Sequence, residues 1–247
     1  MLPLAHGTDV SRYETPINFD LNQIRGLKFA AIRCTVGDYY TDPQFRNSWN
    51  EYKKRGFLVT GYLVTAPRDN TLMRRISSHQ HLDRFFNSVI GLKPDIPWIM
   101  DSELTRGERN DYVTQLNHEV ALGLSNDLQG NMPIIYTRQS WWDYYINAIP
   151  LWSQCDLWAA RYSLTLTSPW SDGHYIFRDW KTWKFWQYTD KGDGIFYGFT
   201  GDGDMDYFNG DVGDLYEYAK LPRPLTIEDQ VKILMREAKL HNWNTNP

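Results

Sequence analysis

The 247-residue sequence predicts an α/β fold with a mostly parallel sheet, either open or closed into a barrel. Short apolar runs alternate with amphipathic stretches, which is the rhythm of βαβ units. The helical stretches fade after about residue 150, so an ideal eightfold β/α barrel is not expected. Acidic residues follow several of the apolar runs, at the strand ends where the active sites of such barrels lie.

Apolar runs of strand length are predicted to form the sheet, and the amphipathic stretches between them are predicted to form helices. The strands are predicted over residues 6–10, 29–35, 58–64, 98–100, 133–136, 157–160 and 184–187. The helices are predicted over residues 43–55, 77–88, 111–124 and 140–146. The first helix places Phe45, Trp49 and Tyr52 on one face, and Gly56 favours its C-terminal end.

A proline-containing segment, residues 221–224, divides the chain into a domain over 1–218 and an appendage over 219–247. Beyond it, Thr226 is a suitable N-cap for a short helix. One apolar stripe runs along that helix through Ile227, Val231, Leu234 and Ala238. The stripe either packs back on the domain, forms a homo-oligomer through a short coiled coil, or begins a targeting module.

Composition excludes several classes of protein. With 42% hydrophobic and 23% charged residues the chain is globular, and a net charge of −4 argues against nucleic acid as a partner. No apolar run reaches membrane-spanning length, so no membrane partner is expected. The 11 Trp and 16 Tyr residues favour a carbohydrate cleft, because their rings offer a flat apolar face and one polar atom.

The two cysteines, Cys34 and Cys155, lie in apolar segments and are expected to be buried free thiols. Residues 1–7 have neither a basic segment nor an apolar core, so export by a standard signal peptide is not expected.

The most informative motif is the apolar run 97–100 that ends in Asp101 and Glu103. On a strand these two side chains face the same way, with Cα atoms roughly 6.5–7 Å apart. Two carboxyl groups at one edge repel, which favours one protonated and one ionised group. That combination suits cleavage of a glycosidic bond, and the alternative is a strand end whose acids are simply solvated.

Three other segments are notable. Asp9 ends the first predicted strand, where a turn aspartate is the alternative interpretation. Residues 183–189 alternate bulky aromatic with polar residues, as expected of a strand between a core and a cleft. Residues 202–206 follow the D-x-D-x-D pattern of a calcium loop, but the twelfth position counted from Asp202 is Gly213 instead of glutamate. No metal site is therefore predicted at this segment.

Short segments spread along residues 7 to about 210 match one known family in its own order. They are residues 9–11, 29–37, 42–45, 56–62, 101–103, 135–137, 157–162, 185–188 and 206–208. On these segments the chain resembles the family 25 glycoside hydrolases, muramidases often called Chalaropsis-type lysozymes. Two departures are visible: Val36 stands where the family usually has Glu, and Leu63 where it usually has His. Both are expected to alter the wall of the cleft.

The resemblance implies a flattened, irregular TIM-like (β/α)5(β)3 barrel, in which five β/α units precede three antiparallel-type strands; the short C-terminal helix is an appendage to it. It also implies an enzyme that cuts the β-1,4 bond between N-acetylmuramic acid and N-acetylglucosamine in bacterial peptidoglycan, without a cofactor. Two alternatives stay open, a wall-binding protein without turnover and a chitinase-like hydrolase.

The resemblance also implies roles for individual residues. Glu103 is the general acid and then the general base, and Asp101 is its ionised partner. Asp101 either attacks the anomeric carbon or positions the 2-acetamido group of the substrate, and both routes retain configuration. Asp9 and Asp206 match the other two family acids. The candidate substrate-binding residues are Tyr62, Tyr136, Trp158, Tyr162, Arg33 and Gln187.

The apparent lack of a signal peptide, together with the linker and short helix, favours a bacteriophage endolysin. Such an enzyme stays in the host cytoplasm before its release to the cell wall. A secreted enzyme is the alternative.

Overall fold

Eight strands close into a barrel in the computed structural model, which describes residues 3–165, 167–173, 177–223 and 227–240. The strands are β1 (His6–Val10), β2 (Phe29–Val36), β3 (Tyr40–Thr41), β4 (Leu58–Val64), β5 (Arg68–Asp69), β6 (Arg74–Arg75), β7 (Ile99–Asp101), β8 (Ile134–Thr137), β9 (Asp156–Ala160), β10 (Phe185–Gly192) and β11 (Gly203–Phe208). The barrel order is β1, β2, β4, β7, β8, β9, β10, β11, and β11 pairs back with β1. The short β3 pairs antiparallel with the end of β2, while β5 and β6 form a separate hairpin.

Helices lie between the strands of the barrel and after its last strand. They are α1 (Phe19–Ile24), α2 (Phe45–Lys54), α3 (Ser78–Val89), α4 (Asn110–Asp127), α5 (Gln139–Tyr145), α6 (Gly194–Tyr197), α7 (Val212–Tyr218) and α8 (Ile227–Leu240). One of α1 to α5 follows each of β1, β2, β4, β7 and β8, so the expected five β/α units followed by three strands are confirmed.

The direction of the last three strands differs from the expectation. β9 runs parallel to β8, and β10 runs parallel to β9; among the barrel strands only β11 is antiparallel, to both β10 and β1. The reason lies in the connection from β10 to β11, which contains only the four-residue α6. Such a segment reverses the chain, whereas a parallel neighbour requires a long crossover.

All seven predicted strands and the four predicted helices are present, with bounds shifted by a few residues. The sequence analysis did not predict α1, α6, α7, β11 or the two-residue strands β3, β5 and β6. The three helices have seven residues or fewer, too short for a clear 3.6-residue period. β11 was not predicted because it overlaps the D-x-D-x-D pattern, which is typical of a loop.

Two apolar cores result from the alternation of side chains along the barrel strands. Inward-facing residues such as Phe29, Ile99 and Phe185 fill the base of the barrel. Outward-facing residues such as Ile32 and Met100 pack against the helices. Nine of the 11 tryptophans are buried. The tryptophans therefore mainly build the core, while the aromatic residues Tyr62, Tyr136 and Tyr162 line a cavity at one end of the barrel, as the predicted carbohydrate cleft requires.

The inward positions change from apolar to polar along the barrel axis. On β2 the sequence passes from Phe29 to Arg33, and on β7 from Ile99 to Asp101. Both cysteines are buried and free, as predicted. The barrel thus has an apolar base and a polar end at the C-terminal ends of its parallel strands.

The side chains described in α8 are exposed. Val231 and Leu234 of the predicted stripe are 47% and 60% exposed, so this part of the stripe does not pack on the barrel. Thr226 lies outside the described residues, as do the side chains of Ile227 and Ala238. The division at residue 218 stays a prediction. Among the described residues, no helix has both the length and the apolar character needed to cross a membrane.

Candidate active site

A cavity of about 400 Å³ lies at the polar end of the barrel. Nine of the ten predicted site residues line it: Asp9, Arg33, Tyr62, Asp101, Glu103, Tyr136, Trp158, Tyr162 and Gln187. The cavity is also lined by Asp204, Asp190 and Arg106, which the sequence analysis did not select. The fold therefore brings together residues from all eight barrel strands and from the segments that follow them.

Asp101 and Glu103 lie where β7 ends. Backbone pairing holds this segment, because the Ser102 N–H donates to the Tyr136 carbonyl at 3.0 Å and the Thr137 hydroxyl donates to the Ser102 carbonyl at 2.7 Å. Asp101 is buried, and within the described part of the chain its Oδ1 has no hydrogen-bond partner. This oxygen is thus available to a ligand in the cavity.

The charge state of this pair follows from its burial. Burial raises the pKa of Glu103, although the positive charge of Arg138 opposes the rise. Burial, Glu103 and Asp9 raise the pKa of Asp101 still further, and Arg33 opposes them. The two carboxyl groups therefore retain a proton to higher pH than isolated acids would. An ionised Asp101, as the resemblance implies, requires that this proton reside on Glu103.

A hydrogen-bonded chain fixes the opposite side of the cavity. The Tyr136 hydroxyl donates to Gln187 Oε1 at 2.7 Å, and Gln187 Nε2 donates to Asp9 Oδ2 at 2.7 Å. Burial and the neighbouring Asp206 raise the pKa of Asp9, whereas the bond from Gln187 lowers it. Gln187 is only 2% exposed, so it positions Asp9 and Tyr136 more than it contacts a substrate.

Asp206 does not line the cavity, and Asp204 does. Asp206 is fully buried, and Trp158 Nε1 donates to its Oδ1 at 2.9 Å. Asp204 pairs with Asp9 across β1 and β11, and burial together with the Asp9 charge raises its pKa to about 9. Both acids face inward because they are two residues apart on one strand. Since β11 is antiparallel, the first of them lies nearer the opening.

The two departures from the family pattern have different surroundings. Val36 lines the cavity, as expected. Leu63 is fully buried in the core between barrel and helices, so the expectation that it alters the cleft wall is wrong. Tyr62 and Val64 line the cavity on either side of it, and alternation along β4 therefore turns Leu63 outward.

The acids of the cavity do not form a metal centre by geometry. Over the described ranges, no three His, Cys, Asp or Glu side chains come close enough together to hold a metal ion. What the site offers is proton donors and acceptors, with aromatic walls from Tyr62 and Trp158.

Comparison with known proteins agrees with this geometry. The model of the glycosyl hydrolases family 25 matches residues 8–194. The lysozyme M1 of Streptomyces globisporus is 24% identical over 232 residues, which cover 87% of this chain and 71% of that protein. The N,O-diacetylmuramidase of Arthroderma benhamiae is 25% identical over 225 residues, which cover 87% of each chain.

A solved structure shares the fold. A family GH25 lysozyme from Aspergillus fumigatus has a TM-score of 0.73 and 25% identity, over 88% of this chain and 99% of that one. The family model reaches from β1 through β10 and covers well over half of the chain. This chain therefore belongs to the family 25 glycosyl hydrolases.

Proposed function

We propose that this chain is a peptidoglycan muramidase, which cleaves the β-1,4 bond between N-acetylmuramic acid and N-acetylglucosamine with retention of configuration. The observation that carries the proposal is the Asp101–Glu103 pair, held at the end of β7 inside a cavity with aromatic walls. Family membership supports the same chemistry. Lysis of bacterial walls follows from cleavage of their glycan strands.

Glu103 protonates the glycosidic oxygen as the bond to the anomeric carbon breaks. Its raised pKa lets Glu103 keep this proton to a higher pH than an exposed glutamate would. Asp101 either attacks the anomeric carbon or holds the 2-acetamido group that does. Glu103, now ionised, then removes a proton from the water that completes hydrolysis.

Asp9 and Asp204 are direct neighbours on the paired strands β1 and β11, both line the cavity, and both serve as proton-bearing acids. With a pKa of about 9, Asp204 is neutral at pH 7 and donates a hydrogen bond to the sugar or water. Asp206 lies beneath them and supports Asp9 and Trp158. The structure thus favours Asp204 over Asp206 as the acid that contacts substrate.

Alanine variants separate these two acids. We expect Asp204→Ala to lower kcat/KM by about 10- to 100-fold with little change in stability, because it removes a donor at the cavity. We expect Asp206→Ala to lower the free energy of unfolding by about 1–3 kcal/mol, because it leaves the buried Trp158 N–H unpaired. Steady-state kinetics and denaturant unfolding measure both. A larger loss of kcat/KM in Asp206→Ala than in Asp204→Ala would assign the catalytic role to Asp206 instead.

Digestion of purified peptidoglycan tests the proposed function. After borohydride reduction, mass spectrometry identifies the sugar at each new reducing end. New reducing muramic acid establishes muramidase activity, whereas reducing glucosamine identifies a glucosaminidase. A strong preference for chitin oligomers, or no new ends from any wall, would refute the proposal.

We also propose a bacteriophage endolysin, which resides in the host cytoplasm until it reaches the wall. The linker and exposed amphipathic helix α8 after the barrel support it. The same helix is proposed to make a homo-oligomer through exposed Val231 and Leu234.

A further inference from the structure

Two arginines and two tyrosines from three segments meet beside the cavity. Arg12 and Tyr13 lie in the turn after β1, Arg33 on β2 and Tyr40 on β3. The Arg12 Cζ lies 4.9 Å from the Tyr13 ring centroid and 5.3 Å from that of Tyr40. The Arg33 Cζ lies 5.1 and 5.5 Å from the same two centroids. These four residues form one arginine–tyrosine cluster.

The cluster carries more positive charge than its carboxylate neutralises. Asp42 Oδ2 accepts from Nε and Nη2 of Arg33 at 3.0 and 2.9 Å, and also from the backbone N–H of Arg12. The other Asp42 oxygen accepts from the backbone N–H of Gln44. The Arg12 guanidinium donates to the Tyr13 hydroxyl, and no carboxylate of the described residues pairs with it.

Three features make this surplus charge suitable for a ligand. Arg12 is exposed, and the faces of Tyr13 and Tyr40 hold its guanidinium next to that of Arg33. Arg33 also lines the cavity, so the cluster is continuous with the proposed substrate site. Within the described chain, the buried Tyr40 hydroxyl has no hydrogen-bond partner. Apart from Arg106, the other charged residues that line the cavity are acidic, so the cluster is a concentration of positive charge at one edge of an acidic site.

We propose that the arginine–tyrosine cluster binds a carboxylate on the branch of N-acetylmuramic acid, at the edge of the cleft. This inference rests on the proposed function. The branch supplies a carboxylate from the lactyl group when the peptide is absent, and from the stem peptide when it is present. A guanidinium offers forked N–H donors that match a carboxylate. Chitin has no such branch, so the cluster distinguishes peptidoglycan from a neutral glycan.

Binding measurements in a Glu103→Gln background test the proposal without turnover. The probes are a muramic acid-containing tetrasaccharide with stem peptides, the same fragment after amidase treatment, and chitotetraose. Arg12→Gln is expected to weaken binding of the branched fragments by about threefold to tenfold. Binding of chitotetraose is expected to stay unchanged. The difference should shrink at high salt, because Arg12 is exposed.

Arg25→Gln is the matched control. Its guanidinium also stacks on an aromatic ring, 4.0 Å from the Phe196 centroid, and does not line the cavity. Weakening with one branched fragment alone identifies which carboxylate is bound. Equal weakening with all three probes, or none with any, would overturn the proposal.

The outcome is separable from that of the proposed function. If wild-type protein releases no muramic acid ends but Arg12→Gln still selectively weakens branched fragments, the activity fails and the anion site stands. If wild-type protein releases muramic acid ends and Arg12→Gln binds all three probes normally, the activity stands and the anion site is refuted.

Discussion

Glu103→Gln is expected to lower kcat for peptidoglycan hydrolysis by about 10²- to 10⁴-fold, the usual contribution of a general acid and base. The amide has nearly the shape of the carboxylic acid, but it has no acidic proton to give to the glycosidic oxygen. The protein should still fold and bind glycan fragments. Release of reducing ends measures turnover, and fragment binding by calorimetry shows that the cavity is intact.

The matched control is Glu217→Gln on α7, where the glutamate is exposed and does not line the cavity. Its kcat should equal that of the wild type. Turnover that persists in Glu103→Gln would transfer the acid role to another group, and Asp204 would be the first to examine because it stays protonated to a pH of about 9.

The pH profile follows from the same residue. The proposed mechanism requires a protonated Glu103, and burial raises the pKa of this group. Activity should therefore fall as pH rises through that raised pKa, above the pH at which an exposed glutamate ionises. A kcat profile that falls at the pKa of an exposed glutamate would contradict the assignment.

Asp42→Ala is expected to lower the free energy of unfolding by about 3–5 kcal/mol, because it leaves the partner charge of a buried ion pair uncompensated. Its side chain is 1% exposed, and that of Arg33 is 14% exposed. Two backbone N–H groups, of Arg12 and Gln44, lose an acceptor as well. Urea or guanidinium unfolding followed by tryptophan fluorescence measures the loss.

Asp20→Ala tests whether burial causes this effect. Asp20 also pairs with an arginine, Arg55, at 2.6 Å, but its side chain is 71% exposed. A surface pair of this kind contributes at most about 1 kcal/mol. Similar losses in the two variants would show that burial of Asp42 does not govern the stability of its pair.

Much of the barrel and of the site follows from local periodicity. The β/α rhythm predicts the parallel strands, and the two-residue period predicts that Asp101 and Glu103 share one face. The same period, applied to Tyr62, also indicates that Leu63 faces away from the cavity, although the family pattern suggested otherwise. These features depend on neighbours in the sequence.

Other features depend on contacts between distant segments. The direction of β11 is set by the length of the segment after β10, and it decides which of Asp204 and Asp206 reaches the cavity. The arginine–tyrosine cluster requires a turn, a barrel strand and a two-residue strand to meet, and no periodic pattern encodes that meeting.

The pairing of β11 with β1 has a consequence for biosynthesis. β1 leaves the ribosome before the other barrel strands and can pair early with β2. Its other edge stays unpaired until β11 has been synthesised, near the end of the barrel domain. Asp9 and Asp204 therefore meet only after that late strand docks. Such long-range pairing is slow compared with local contacts. A nascent chain that has not yet produced β11 thus lacks one wall of its cavity, and hydrolytic activity is expected only after β11 closes the ring.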